Sequence, residues 1–266
     1  MQFPAFLDRH LPALERDQAR HNILLTILAA IRDGNAPAGR WWSLGGPGAC
    51  AAQAPGRPVV LGNLAPAQCR ALAEALHEDD LPGVLGPDRT AQYFVARAQE
   101  LGLRFAEPMP QRILALSAPP RAPEVPGRAR TVTAADAPLF ADWLTAFYRE
   151  AVPQDRPPER EAMERKAGQG DHVFWALDGR PVALAGIVRR TRDAAAIAEV
   201  YTPPALRGRG YAGAATAAVV ERIYAEGRTT ACLYCDLRNP ASRRCYAKLG
   251  FAPLCDSWFY PRQADC

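Results

Sequence analysis

Residues 205–223 read ALRGRGYAGAATAAVVERI. Three glycines and two arginines fall within residues 207–213, immediately before an alanine-rich helical pattern. A helix N-terminus gathers unpaired backbone N–H groups and the positive end of the helix dipole, so a glycine-rich turn at that place suits a phosphate. Gly208 and Gly210 let successive N–H groups converge, and the missing side chain at Gly210 lets a pyrophosphate approach closely. Arg207 and Arg209 add charge for a ligand with several phosphates. The run Gly208-Arg209-Gly210-Tyr211-Ala212-Gly213 also satisfies the loose G-x-G-x-x-G dinucleotide pattern.

The surroundings weigh against a dinucleotide. A dinucleotide fold brings its first strand directly to the first glycine and then needs further βα repeats. Here Pro203 and Pro204 end the strand early, and too little chain follows Gly213 for another half. Asp236 lies where a ribose-binding acid would fall, so an oxidoreductase stays as the second enzyme reading.

The combination Arg207-x-x-Gly210-x-Ala212, with Asn239 and Tyr246-Ala247-Lys248-Leu249-Gly250-Phe251 downstream, resembles the GNAT superfamily of N-acetyltransferases. The order Val200–Pro204, Arg207–Ala212 and Asp236–Gly250 is similar to a two-part bacterial type, in which a degenerate N-terminal half precedes an active C-terminal one. The resemblance implies an α/β (α+β) fold with a mixed central sheet flanked by helices, and a second, degenerate N-terminal domain. It implies acetyl-CoA as cosubstrate, no metal, and an amine acceptor, either a small molecule or a peptide or protein amine. A coenzyme-A-binding sensor without turnover is the alternative from a different class.

Outward from the motif, the stretch 117–130, SAPPRAPEVPGRAR, has four prolines and no apolar period, which reads as a linker. The expected division is an N-terminal domain over 1–116, a linker over 117–128 and a catalytic domain over 129–266. The pattern predicts helices around 6–31, 66–77, 88–101, 137–150, 158–167, 210–226 and 240–249. Strands are expected at 41–44, 58–61, 197–202, 231–237 and 251–260, with the apolar run RILAL closing the first half. Asp178-Gly179 between two apolar runs marks a hairpin. The N-terminal half carries no phosphate loop of the family's kind and is expected not to bind coenzyme A.

The 266 residues carry 48% hydrophobic and 23% charged residues, ordinary values for a folded chain. No apolar run reaches the length of a membrane span, and a cytoplasmic protein is expected. The net charge is +4, and Lys166 and Lys248 are the only lysines among 32 basic side chains. No arginine stripe interleaves with aromatics, so no nucleic-acid partner is expected. Seven irregularly spaced cysteines argue against a disulfide framework. The pair Cys232 and Cys235 sits in an apolar strand-like run and reads as buried thiols. Oligomeric state is not legible.

With no G-x-S-x-G elbow and no histidine spacing for metal or triad, direct attack by the amine in a ternary complex is the expected chemistry. By the resemblance, Tyr246 is the general acid for the departing thiolate; a phenol with a pKa near 10 can protonate a thiolate of about 8.5. Glu199, on the strand feeding the loop, is the candidate base, its pKa expected to rise if it is desolvated. The backbone of Val200, Tyr201 and Thr202 would pair with the pantetheine arm, so their strand must splay from 231–237. Arg207, Gly208, Arg209, Gly210, Tyr211 and Ala212 would hold the pyrophosphate. Asn239 and Ser242 would hold the arm's far side, and Asn239 is equally an ordinary helix N-cap.

Overall fold

The computed structural model describes residues 1–152 and 157–263. The chain falls into two compact units. The first is Met1–Ile113 with Cys235–Arg238 and the segment from Pro253; the second is Leu114–Tyr234 with Asn239–Ala252. The proline-rich stretch 117–128 therefore lies within the second unit.

The first unit opens with helices α1 (Phe3–Leu14) and α2 (Asn22–Arg32), separated by a 3-10 turn at Glu15–Asp17. The single helical pattern expected over 6–31 is thus two helices. Strands β1 (Arg40–Ser43), β2 (Cys50–Gln53) and β3 (Val59–Leu61) pair antiparallel in turn. After α3 (Pro66–Leu76), β4 (Gly83–Pro87) lies parallel to β3, and α4 (Asp88–Glu100) leads to β5 (Met109–Leu116). Strands β2 and β4, with sequences CAAQ and GVLGP, lie outside the strands predicted above. Alanine and glycine in short runs carry little strand signature; burial on both faces makes them strands. Ala51 packs with Leu72, Val84 and Phe94 on one face, while Cys50 and Ala52 pack with Phe6, Leu24 and Leu28 on the other. This is the two-residue alternation of a pleated strand.

In the second unit β6 (Arg128–Thr131) is followed by α5 (Ala137–Ala151) and α6 (Arg160–Lys166). β7 (His172–Leu177) and β8 (Arg180–Arg190) form the expected hairpin. Its turn residues Asp178 and Gly179 have φ of 46° and 81°, the left-handed pair that such tight turns require. β9 (Ala194–Tyr201) pairs antiparallel with β8 and, across the crossover helix α7 (Tyr211–Ala225), parallel with β10 (Thr230–Asp236). α8 (Pro240–Leu249) has proline at its first position and ends at Gly250, φ 101°. The last strand, β11 (Ala252–Pro261), belongs from Pro253 onward to the first unit, where its residues 257–261 pair antiparallel with β4.

The architecture is a mixed α/β sheet flanked by helices. From α1 to β5 the elements run α-α-β-β-β-α-β-α-β, and from α5 to β11 they run in the same order. The pairing senses repeat as well: two antiparallel steps, then one parallel. The copies differ where a strand passes to its crossover helix. Residues 62–65 suffice between β3 and α3, whereas residues 202–210 lie between β9 and α7.

No helix among the described residues is long and apolar enough to cross a membrane. Cys232 and Cys235 are both buried in β10. No disulfide joins any two of Cys50, Cys69, Cys232, Cys235, Cys245 and Cys255; Cys266 lies outside the described residues.

Candidate active site

Strand β9 changes character halfway along. Its parallel ladder with β10 runs from Ala194 opposite Thr230 to Ile197 opposite Leu233. Beyond that point, among the described residues, β9 pairs only with β8, where Gly186 faces Ala198 and Leu184 faces Tyr201. β9 thus spends one residue more than β8 over this interval. That is a bulge, which bends a strand and re-aims its side chains. Glu199 sits in it at φ 55°, a left-handed conformation that costs a non-glycine residue energy and that clusters at functional positions. The edge of β9 that faced β10 is therefore open from Ala198 onward, as the expected splay requires.

The bulge turns the Glu199 side chain inward, leaving the residue 3% exposed. Its carboxylate accepts from His172 Nε2 at 2.6 Å, from Lys166 Nζ at 2.8 Å and from the Tyr148 hydroxyl at 3.4 Å. His172 opens β7 and is packed edge-on against Phe140, ring centroids 4.7 Å apart. A Cβ on Gly186 would lie 2.2 Å from the imidazole Cδ2, so only glycine leaves room for the ring. His172 Nδ1 is buried with no partner among the described residues. An ionised carboxylate can only accept, which assigns a proton to Nε2, donated to Glu199.

These partners correct the expectation of a raised Glu199 pKa. Burial does push the carboxyl up, but the His172 hydrogen bond and the Lys166 charge outweigh it and bring the group down to about 2. With these partners in place Glu199 is a buried carboxylate held in its ionised form. Lys166, His172 and Tyr148 were not singled out from the sequence. Only the rarity of lysine in an arginine-rich chain marked Lys166, because the contacts join residues 27 to 51 positions apart along the chain to one strand residue.

The turn after β9 carries the glycine-rich motif. Gly208 and Gly210 have φ of 78° and 83°. Gly210 is the N-cap of α7 and places no side chain on the helix end. The first intrahelical bond is Ala214 N–H to Gly210 C=O, 3.0 Å, so the N–H groups of Tyr211, Ala212 and Gly213 stand at the uncapped N-terminus. Tyr211 is buried and Ala212 half-buried, while Arg209 is exposed and reaches only the Ala205 carbonyl, at 3.5 Å. A Cβ on Gly208 would meet nothing within 4 Å.

Gly210 also has no room for a side chain within the protein itself. A Cβ there would fall 2.9 Å from Val125 Cγ1 and 3.8 Å from Pro123 Cβ. The proline-rich strap occupies that space. It lies along α7, held by the Tyr224 hydroxyl donating to the carbonyls of Leu116 and Ala118, by Arg121 N–H to Leu249 C=O at 3.0 Å, and by Trp175 Nε1–H to Pro126 C=O at 2.9 Å.

Arg207 turns back toward β9. Its Nε donates to the Thr202 carbonyl at 2.9 Å, its Nη2 pairs with Glu150 of α5 at 2.5 Å, and its guanidinium lies 5.8 Å from the Tyr201 ring centroid. The Tyr201 hydroxyl reaches the same Glu150 carboxylate at 3.4 Å. Arg207, Tyr201 and Thr202 thus come together, and the hydroxyl Oγ1 of Thr202 is buried without a partner among the described residues. Val200 is half-buried on the open stretch of β9. Asn239 and Ser242 also meet: Asn239 Oδ1 accepts from Ser242 N–H at 3.0 Å, the ordinary N-cap of α8. Tyr246, in the last turn of α8, is buried with its ring edge-on to Phe251, centroids 6.0 Å apart. Among the described residues no group of three or more His, Cys, Asp or Glu side chains is placed to hold a metal ion.

A bulged strand thus opens from its parallel neighbour and runs through a glycine-arginine turn into an uncapped helix. Residues 137–251 match the family model described as the acetyltransferase (GNAT) family, and this part of the chain belongs to that family. Solved structures share the fold over nearly the whole chain. A GNAT-family acetyltransferase structure from Novosphingobium aromaticivorans DSM 12444 is 19% identical, with a TM-score of 0.56 over 92% of this chain and 100% of that one. A GCN5-related N-acetyltransferase from Kribbella flavida is 18% identical, with a TM-score of 0.59 over 91% and 96%. A tandem GNAT protein from the clavulanic acid biosynthesis pathway is 15% identical, with a TM-score of 0.52 over 91% and 88%. No curated protein matches the chain.

Proposed function

We propose that this protein is an N-acetyltransferase that moves the acetyl group of acetyl-CoA to an amine by direct attack in a ternary complex. The observation that carries the reading is the opening of β9 beside the Glu199 bulge, leading into the uncapped N-terminus of α7. The residues present suit the cosubstrate. The free edge at Val200–Thr202 offers backbone groups to the amides of a pantetheine arm, and the orphaned Thr202 hydroxyl lies on the same stretch. The N–H groups of Tyr211, Ala212 and Gly213, the dipole of α7 and the exposed Arg209 would meet the pyrophosphate. Arg207, already paired with Glu150, would position the turn more than contribute free charge.

When bound, acetyl-CoA supplies the acetyl group as an activated thioester. Glu199 is the anion beside that position. It would draw an acceptor ammonium and accept its proton as the attack proceeds, its basicity rising as the Lys166 ammonium moves away. Tyr246 would donate a proton to the departing sulfur, and Asn239 with Ser242 would orient α8 at the far side of the arm. The acceptor class is an amine of a small molecule or of a peptide.

The same reading assigns residues 129–266 the catalytic role and residues 1–116 that of a degenerate acetyltransferase-like half joined through 117–128. The repeated element order supports a shared ancestry of shape, and the short connection at 62–65 leaves no turn to wrap a pyrophosphate. Calorimetry with acetyl-CoA and with NAD tests the cofactor. Binding of acetyl-CoA alone is expected, and NAD affinity without coenzyme A affinity overturns the reading. Thiol release on a panel of amines then separates an enzyme from a coenzyme-A-binding sensor.

A further inference from the structure

The candidate base already has an amine on it. Lys166 ends the seven-residue helix α6, and its Nζ lies 2.8 Å from Glu199 Oε1. The two partners differ in freedom. Glu199 is fixed: its side chain is 4% exposed, and its other oxygen is clamped by the buried His172. The Lys166 side chain is 37% exposed, on a flexible four-carbon stem that can swing without moving the backbone. A primary ammonium is also the form in which most amine acceptors reach an acetyltransferase at neutral pH. Lys166 therefore stands where the acceptor nitrogen would have to stand.

We propose that Lys166 is a self-acetylation site, taking one acetyl group from acetyl-CoA bound in the same chain. The inference rests on the acetyl-CoA reading above, which sets the thioester beside Glu199. In the step, the Lys166 nitrogen bonds to the acetyl carbonyl carbon as the carbon–sulfur bond breaks, and the electron pair leaves with sulfur. The ammonium loses two protons: one ends on the coenzyme A sulfur, and one passes through Glu199 to solvent. The products are an Nε-acetyl-lysine, free coenzyme A and a proton, with no other reactant needed. The amide cannot carry a positive charge, so the ion pair to Glu199 is lost and Oε1 becomes available to an external ammonium. Self-acetylation would thus convert the site from one occupied by its own lysine to one open to an acceptor.

The lysine content makes the test direct, because Lys166, Lys248 and the chain's amino terminus are the only amines that can be modified. The purified full chain is incubated with acetyl-CoA and mapped by peptide mass spectrometry, with binding measured in parallel by calorimetry. Acetylation of Lys166 roughly a hundredfold faster than of Lys248 is expected, the worth of a base in place. The label should disappear from that position in a folded Lys166→Arg protein and fall to the Lys248 rate in Glu199→Gln. Acetyl phosphate, which needs no binding site, should show no such preference. Acetyl-CoA binding with Lys166 unmodified, or labelled no faster than Lys248, overturns the inference and leaves the cofactor reading standing. Absence of acetyl-CoA binding overturns both.

Discussion

At the scale of single residues, Tyr246 and Glu150 each have a test that leaves the fold in place. Tyr246→Phe keeps the ring against Phe251 and removes only the hydroxyl. If Tyr246 is the acid, kcat should fall by about 10²–10⁴ while the acetyl-CoA dissociation constant stays unchanged. A rate within about twofold of the parent, with chemistry rate-limiting, makes Tyr246 a packing residue. Glu150 offers the opposite direction. Its carboxylate pairs with Arg207 and on the proposed reading would compete with the phosphates of acetyl-CoA for it, so Glu150→Gln should tighten acetyl-CoA binding. The pair is half-exposed, which limits the gain to about 0.2–1 kcal/mol, or a few-fold in affinity. Titrations at low and high salt should show the gain shrinking as salt rises. Weaker binding in the variant would mean that Glu150 matters by holding Arg207 in place.

At the scale of elements, the site depends on close approaches that glycine alone permits. Gly186 of β8 faces the His172 ring, so Gly186→Ala must displace an imidazole fixed on Phe140 and Glu199. Overpacking of this kind costs about 1–3 kcal/mol, and we expect a lower Tm together with a loss of turnover larger than the stability change explains. Gly210 carries two separable penalties, its φ of 83° and its contact with Val125. Gly210→Ala should destabilise the protein and weaken acetyl-CoA binding, and adding Val125→Ala should relieve the contact while leaving roughly 1–2 kcal/mol of backbone strain. Full recovery in the double variant would show that packing against the strap, and not the left-handed conformation, is what glycine serves there. The strap itself is an element made by tertiary contacts. Four prolines in 117–130 suppress any periodic pattern, yet it is tied to α7, α8 and β7 by specific hydrogen bonds.

At the scale of the whole molecule, pH dependence and stoichiometry are the accessible readouts. His21, buried in the first unit, is lowered by desolvation from 6.5 to about 4, and Glu199 in the second is lowered from 4.5 to about 2. A group whose folded pKa is depressed contributes fully above its unfolded value, and that contribution fades as pH falls toward the folded value. Stability should therefore decline from about pH 6.5 downward through His21, then more steeply below about 4.5 through Glu199. Urea unfolding at a series of pH values should show the lower step reduced in Glu199→Gln and the upper step retained. For stoichiometry, the short 62–65 connection in the first unit predicts one acetyl-CoA per chain. Two equivalent sites in calorimetry would give the N-terminal half a cofactor role of its own.

Much of this fold was legible along the chain because its signals are local. Asp178-Gly179 turned as a hairpin, Pro240 and Gly250 bounded α8, and Arg207–Ala212 stood at a helix N-terminus, since each feature depends on backbone preferences of neighbouring residues. The repeat of element order escaped, because β2 and β4 are alanine- and glycine-rich strands that only burial on both faces makes regular. The state of Glu199 escaped for a related reason. Its charge depends on His172, Lys166 and Tyr148, which come from three other elements, and on a bulge whose existence is a matter of register between β8 and β9. The sequence by itself determined that a glycine- and arginine-rich turn meets a helix N-terminus. Tertiary structure decided which side chain fills the space at Gly210 and whether a buried glutamate is neutral or ionised, because packing and electrostatics act between groups that the chain brings together only on folding.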